Sequence, residues 1–398
     1  MSSILYISRS GIPRDAASIR IERISQVLRK IGYEVSIMCS EIDAEYIPVK
    51  DDSENDYKIV VNDIPYLFSF RKSYKWYNKF RVVHEIIFAT SIYKRIVQYC
   101  DCTKPKAIIL YNDIYSLTRK LLKYCKTNGI ALYADVTEWY EKKSANYSLP
   151  ARLIPIFVNK RITTLDRRLN GIIAISPYLY EYYRKSSNNV VYIPPLMPID
   201  RDIEFIAHKS KVIVYAGKPG EKDVILPILE AFEMLNKKQI KAVLTIIGID
   251  EEYIRQIWKD NPFNRYGIRV LGTMPHEDTI EIIKSADFGI LLRHNKRYAK
   301  AGFSTKLAEC LSLGIPMICN RVGGCDSIIE HSVDGMLIED FAVSSILECL
   351  TLILELSDAE MLNMKHKALE KAEMLFDSEK YIKKLQVLLE NENTNIGR

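Results

Sequence analysis

The chain of 398 residues is sparing with the residues that mark special protein classes, holding only 16 Gly, 15 Pro, six His and three Trp. So little Gly and Pro excludes collagen-like and low-complexity chains. The eight cysteines, at positions 39, 100, 102, 125, 310, 319, 325 and 349, form no Cys-x-x-Cys pair and no cluster with His at zinc-ligand spacing. Neither a structural zinc site nor a disulfide framework is indicated, and free thiols in a reducing compartment are the simplest expectation. The opening MSSILYISRSG has a short apolar burst without a basic region before it. No window reaches the roughly 18 uncharged apolar residues of a membrane span, so a cytosolic chain is expected. A Gly-x-Gly-x-x-Gly turn is missing as well, which argues against a nicotinamide cofactor. Charge of one sign is scarce: 56 basic and 50 acidic residues leave +6, too little to argue for nucleic acid.

What is present is ordinary soluble composition, 48% apolar and 27% charged, and length for two or three domains at roughly 150 residues each. A short β-branched run, a turn and an amphipathic helix recur along the chain. In the first half the runs are 4–8, 34–39, 107–111, 131–136, 171–176 and 190–194. Between the first two, Ala17, Ile21, Ile24, Leu28 and Ile31 recur at helical spacing before Gly32. After the Pro-rich crossing IPPLMPID at 193–200 the pattern restarts, with runs at 211–217, 242–248, 268–272, 288–293 and 315–319. Such alternation predicts an α/β protein with two Rossmann-like, doubly wound parallel-sheet domains facing across a cleft. The predicted division is 1–195, then 196–377, with 378–398 a terminal helix docking back on the first domain.

Doubly wound sheets bind ligands in the loops after their strands. The most informative of these lies in 286–324, ADFGILLRHNKRYAKAGFSTKLAECLSLGIPMICNRVGG. Ser304 is an N-cap residue type, and the helix it opens ends at Gly314. Free N–H groups of the first turn, the positive dipole end and Lys306 suit a diphosphate, and Glu309, one turn below Thr305, suits ribose hydroxyls. The same residues also read as a capped helix with a solvated Lys and Glu.

This window, with VDGMLI at 333–338, VIVYAGKPGEKDVILPILEAF at 212–232, IRVLGTMPHED at 268–278 and GIIAISPYLYEYY at 171–183, resembles retaining nucleotide-sugar glycosyltransferases of the two-Rossmann (GT-B) architecture, family four, of the polysaccharide-assembly type. The opening helix and strand, 16–38, is also similar to theirs. The resemblance covers the second domain almost throughout and the first more loosely. It implies a donor-binding set of Gly217, Met274, Arg293, Ser304, Thr305, Lys306, Leu307 and Glu309, with His294 beside them. Lys218 and Lys222 would meet the diphosphate and the scissile oxygen, where departing negative charge needs stabilising. No metal is implied: the sole Asp-x-Asp triplet, Asp200-Arg201-Asp202, lies in the Pro-rich crossing rather than at a strand end. Family members often carry Glu-x7-Glu; here Glu309 is the second position and Ala301 stands at the first, so the sugar contact is missing or supplied otherwise.

In the first domain, Gly11, Arg14 and Arg20 follow the first strand and suit phosphates on the acceptor side. Asp135 and Glu138 are the acids placed with the catalytic set, and Trp139 suits a sugar face, although the alternative is a Trp packed beneath its domain. His84, spaced helically from Phe80 and Phe88, reads as a packed histidine. Residues 71–106 hold nine Lys or Arg against two acids, interleaved with aromatics, and so suit an anionic membrane surface as well as an ordinary amphipathic helix pair. Residues 41–63 hold eight acids against two basic residues and would repel that surface. The expected activity is transfer of a sugar from a nucleoside-diphosphate sugar to a glycan or lipid-linked acceptor, with no cofactor and no nucleic-acid partner, on the cytoplasmic side of the membrane. A catalytically dead sugar-nucleotide binding protein, or a 2-epimerase, remains the alternative.

Overall fold

The computed structural model describes residues 2–8, 16–39, 57–68, 81–113, 115–141, 153–205, 210–220, 222–259, 262–322 and 324–391. The chain divides into two compact units, Met1–Leu196 with Ser378–Arg398, and Met197–Asp377.

The first unit is built on strands β1 (Ser3–Ser8), β2 (Glu34–Cys39), β3 (Tyr57–Val61), β4 (Ile64–Phe68), β5 (Ala107–Tyr111), β6 (Ala131–Val136), β7 (Gly171–Ala174) and β8 (Val190–Tyr192). Their order is β3-β4-β2-β1-β5-β6-β7-β8, parallel except for β3 against β4. The winding reverses between β1 and β5. Every residue of β6 is buried, as expected of a central strand with both faces covered. Helix Ala16–Ile31 buries Ile21, Ile24, Val27 and Leu28 against the sheet. Hairpin β3–β4 lay within or beside the stretch read from sequence by charge. It closes on Asn62 and Asp63 at φ +50° and +60°, the left-handed pair that a tight two-residue hairpin turn requires.

The second unit has β9 (Lys211–Ala216), β10 (Ala242–Ile247), β11 (Ile268–Val270), β12 (Phe288–Leu291), β13 (Met317–Asn320) and β14 (Gly335–Ile338), all parallel, in the order β11-β10-β9-β12-β13-β14. This winding reverses between β9 and β12. Phe232, Phe288, Ile290 and Leu244 are core residues of the unit. Helix Asp358–Phe376 begins on a reciprocal capping box between Ser357 and Glu360.

After Asp377 the chain returns to the first unit. Helix Ile382–Glu390 places Leu385, Leu388 and Leu389 in that unit's core, and Asn189 Nδ2 donates to the Leu388 carbonyl at 2.9 Å. The Asp-x-Asp triplet of the crossing is engaged at the surface of the second unit. Arg201 pairs with Glu373 at 3.1 Å and Asp377 at 3.0 Å, and Asp200 with Lys284 at 3.7 Å.

Candidate functional site

In a doubly wound sheet the loops diverge to opposite faces where the winding reverses, which leaves a crevice at the carboxyl ends of those two strands. In the second unit these are the ends of β9 and β12. The chain leaves β9 through Gly217 at φ +111°, beside Gly248 at φ +85° after β10. A Cβ on Gly248 would stand 2.9 Å from the Gly217 Cα, and one on Gly217 would stand 2.6 Å from the Lys306 Cε. The two glycines therefore let one backbone lie on the other and let the Lys306 stem cross above. The loop after Gly217 then runs back alongside the end of β12: Val224 N–H donates to the Leu292 carbonyl at 2.8 Å, and His294 N–H to the Lys222 carbonyl at 3.2 Å.

Between these strand ends sits a buried carboxylate, Asp223. It accepts from the Tyr215 hydroxyl at 2.9 Å and from Arg293 Nε at 3.0 Å, and it pairs with the Lys306 ammonium. Lys306 Nζ also donates to the Tyr215 hydroxyl oxygen at 2.7 Å and to the Lys218 carbonyl at 3.2 Å. Burial holds the Lys306 amine below its ordinary pKa, with Asp223 opposing, while burial and then Asp223 push the Tyr215 hydroxyl up. Arg293 is fixed at its backbone too: its N–H donates to Asn320 Oδ1 and its carbonyl accepts from Asn320 Nδ2, both at 2.8 Å. One carboxylate thus serves two cations. Lys218, which is exposed, and Lys222, half-buried, precede it in the loop, so four cationic side chains belong to this strand-end region.

Helix Thr305–Ser312 starts beside this cluster. The Ser304 hydroxyl accepts from Leu307 N–H at 3.3 Å, and Ala308 N–H begins the backbone ladder, so the Thr305 and Lys306 amides are the first-turn donors left outside it. The other end is closed by Gly314 at φ +66°, with Ile315 N–H returning to the Cys310 carbonyl at 2.8 Å. Leu307 is buried and anchors the helix, while Thr305 is half-buried. Glu309 lies one turn deeper, its Oε1 3.6 Å from His276 Nε2. Burial raises the Glu309 carboxyl above its ordinary range, and His276 works against that shift. Met274 is half-buried in the segment leading to helix His276–Lys284. His294 sets its ring edge-on to Phe341, with centroids 5.4 Å apart.

The first unit corrects two expectations. Arg20, expected to meet phosphates, is only 3% exposed, and Asp135, expected among the catalytic acids, is fully buried. They form one ion pair at 2.8 Å, with Tyr6 donating to Asp135 at 2.6 Å and Arg20 Nη1 donating to the Ile193 and Pro194 carbonyls at 3.0 and 3.1 Å. Their charges are spent on each other and on fastening the chain after β8. Trp139 is buried as well, its ring 4.4 Å from that of Tyr182 and 6.1 Å from that of Tyr178, the packed arrangement rather than an open sugar platform. Glu138 is half-buried after β6 and accepts from the Tyr140 hydroxyl. Gly11 and Arg14 lie outside the described residues, as do 71–80 of the basic stretch; nothing is described of the side chain of His84.

Residues 197–372 match the family described as glycosyl transferases group 1. The chain carries a glycosyl transferases group 1 domain. The Gly217, Asp223, Arg293, Lys306 and Glu309 constellation lies inside this domain. Among curated proteins, an N-acetyl-alpha-D-glucosaminyl L-malate synthase of Bacillus anthracis is 25% identical over 136 residues, 34% of this chain and 33% of that protein. The matched stretch thus spans about a third of that relative. Among solved structures, sucrose-phosphate synthase from Thermosynechococcus elongatus superposes with a TM-score of 0.72 at 14% identity, covering 98% of both chains. HepE of Anabaena in complex with UDP and glucose gives 0.67 at 12% identity, covering 98% of this chain and 100% of that one. The lipopolysaccharide outer core galactosyltransferase WaaB gives 0.63 at 14%, covering 98% and 100%. At such identities the likeness is one of fold, the two-domain α/β architecture of GT-B glycosyltransferases.

Four residues of the group 1 domain's site escaped the sequence reading: Tyr215, Asp223, His276 and Asn320. Asp223 directly follows Lys222 in the matched loop, which alternates its charges as Lys218, Glu221, Lys222, Asp223, so the sequence does not single out this acid. Asn320 and His276 stand 27 and 33 positions from their partners, and no local pattern joins them.

Proposed function

We propose that this protein is a retaining glycosyltransferase that moves a sugar from a nucleoside-diphosphate sugar to a glycan or lipid-linked acceptor in cell-surface polysaccharide assembly, without a metal ion. The observation that carries this reading is the gathering of Lys218, Lys222, Arg293 and Lys306, next to a helix N-terminus, at the winding reversal of the group 1 domain. In this reading the Lys218 and Lys222 ammonium groups and the Thr305 and Lys306 amides take the diphosphate oxygens, Glu309 takes the ribose hydroxyls and Met274 lies toward the base. HepE's complex with UDP and glucose supports a nucleotide donor for this fold. As the bond from the anomeric carbon to the diphosphate oxygen breaks, negative charge grows on that oxygen and Lys222 stabilises it. The acceptor hydroxyl attacks from the same face, forms the new glycosidic bond, and gives its proton to the departing phosphate. With Asp135 withdrawn into its ion pair, Glu138 is the acid assigned to the acceptor side. We place the enzyme on the cytoplasmic face, with 71–106 resting on anionic lipid.

A second reading, sugar-nucleotide binding without transfer, is favoured by one observation: Ala301 is buried and puts no carboxylate where the family's first Glu stands. The test is incubation with a panel of nucleoside-diphosphate sugars, with water or a glycan as acceptor, followed by proton coupling at the new anomeric carbon. Retained configuration is expected. Inversion overturns the retaining mechanism, and nucleotide binding without turnover of any donor favours the second reading.

A further inference from the structure

Lys306 is the conspicuous cation of the site, yet its ammonium has three protons and this structure gives it three acceptors: the Tyr215 hydroxyl at 2.7 Å, the Lys218 carbonyl at 3.2 Å and Asp223. Those acceptors belong to β9 and to the loop that follows it, whereas Lys306 belongs to the first turn of helix Thr305–Ser312. Its side chain is 17% exposed and its stem rests on Gly217, where a Cβ would collide with it. We propose that Lys306 and Asp223 form a latch that ties loop 217–223 to the helix N-terminus, and that both are positioning residues for Lys218 and Lys222 rather than ligands of the diphosphate.

Two features of the cluster support this. Asp223 retains Arg293 and Tyr215 when Lys306 is removed, so the carboxylate stays compensated and loss of the latch need not unfold the unit. The Lys218 carbonyl is itself an acceptor, so the ammonium fixes the backbone of the residue whose side chain points its charge to solvent. A phosphate ligand would be held better by a cation with protons to spare. The latch spends them all on the protein.

The proposal rests on the donor-site reading for its kinetic arm and is independent of it for its structural arm. In the ligand-free protein, Lys306→Met should increase amide hydrogen exchange across 217–224 by about tenfold, the size common for coupled charged contacts, and leave exchange in β10 unchanged. Unchanged exchange in 217–224 overturns the latch, whether or not the protein binds nucleotides. In the kinetic arm, Lys306→Met, Asp223→Asn and the double variant are compared for uridine and guanosine diphosphate affinity and for donor kcat and KM. Each single change should weaken diphosphate binding about tenfold, and the double variant should be no worse than either. Lys306→Arg should recover part of the loss, since the charge and several donors return. If instead Asp223→Asn tightens diphosphate binding while Lys306→Met abolishes it in both backgrounds, Lys306 is a direct ligand and the proposal fails. Failure of wild-type protein to bind any nucleoside diphosphate would count against the donor-site reading, and the exchange result would still decide the latch.

Discussion

Asp135 is a fully buried carboxylate and Glu309 a half-buried one, and their surroundings give them opposite characters. Asp135 faces a guanidinium and a phenol, so its charge is compensated, and losing half of that compensation leaves Arg20 charged and buried. Asp135→Asn should therefore destabilise the first unit by about 3–5 kcal/mol, read by denaturant unfolding, whereas an acceptor-binding acid would change KM and leave stability alone. Among the described residues Glu309 pairs with the exposed His276 at 3.6 Å, and burial raises its pKa. A raised carboxyl favours the folded state in its protonated form, so its contribution is full below the unfolded carboxylate value and is lost as pH rises through the folded one. Glu309→Gln is thus expected to raise the melting temperature at pH 7.5, by a margin that shrinks on acidification. The same variant should weaken nucleoside diphosphate binding by about 1.5–3 kcal/mol through loss of a charged acceptor for ribose. A variant that melts lower and binds as before would return Glu309 to the status of a solvated helix residue. At Lys222 the expected signature of Lys222→Ala is a fall in kcat much larger than its loss of donor affinity, because the charge it meets grows toward the transition state.

Elements were legible where local pattern suffices. The β-branched runs became strands, and Ser304 and Gly314 bound their helix because cap chemistry is local. Hairpin β3–β4 was hidden because 41–63 is acidic and its turn depends on left-handed Asn62 and Asp63 rather than on Gly. β14 was passed over as part of a motif, although four buried residues pair it to β13. The site was legible as a location, since strand ends are countable, but its wiring was not. Arg20 and Asp135 stand 115 positions apart, and charged residues at strand ends look alike whether they await a ligand or each other. At this scale, Ser304→Ala should cost about 1 kcal/mol by removing the cap on Leu307 N–H, measured by thermal unfolding of the whole chain. Gly217→Ala should impair nucleotide binding more than its stability cost implies, because the new Cβ displaces the Lys306 stem as well as straining φ. Equal loss in Gly217→Ala and Ser304→Ala would contradict that ordering.

On the scale of the molecule, two α/β units share one chain, with the terminal helix Ile382–Glu390 built into the core of the first. The group 1 domain contains every residue assigned to the donor, so donor binding is the claim on which transfer, retention and acceptor choice all depend. Calorimetric titration of the full chain with uridine and guanosine diphosphate, in chelator and then in added magnesium, tests it most directly. The account predicts one site for at least one of the two, with the same affinity in both buffers and weakened by Glu309→Gln. No binding of either nucleotide, or binding that disappears in chelator, would contradict it.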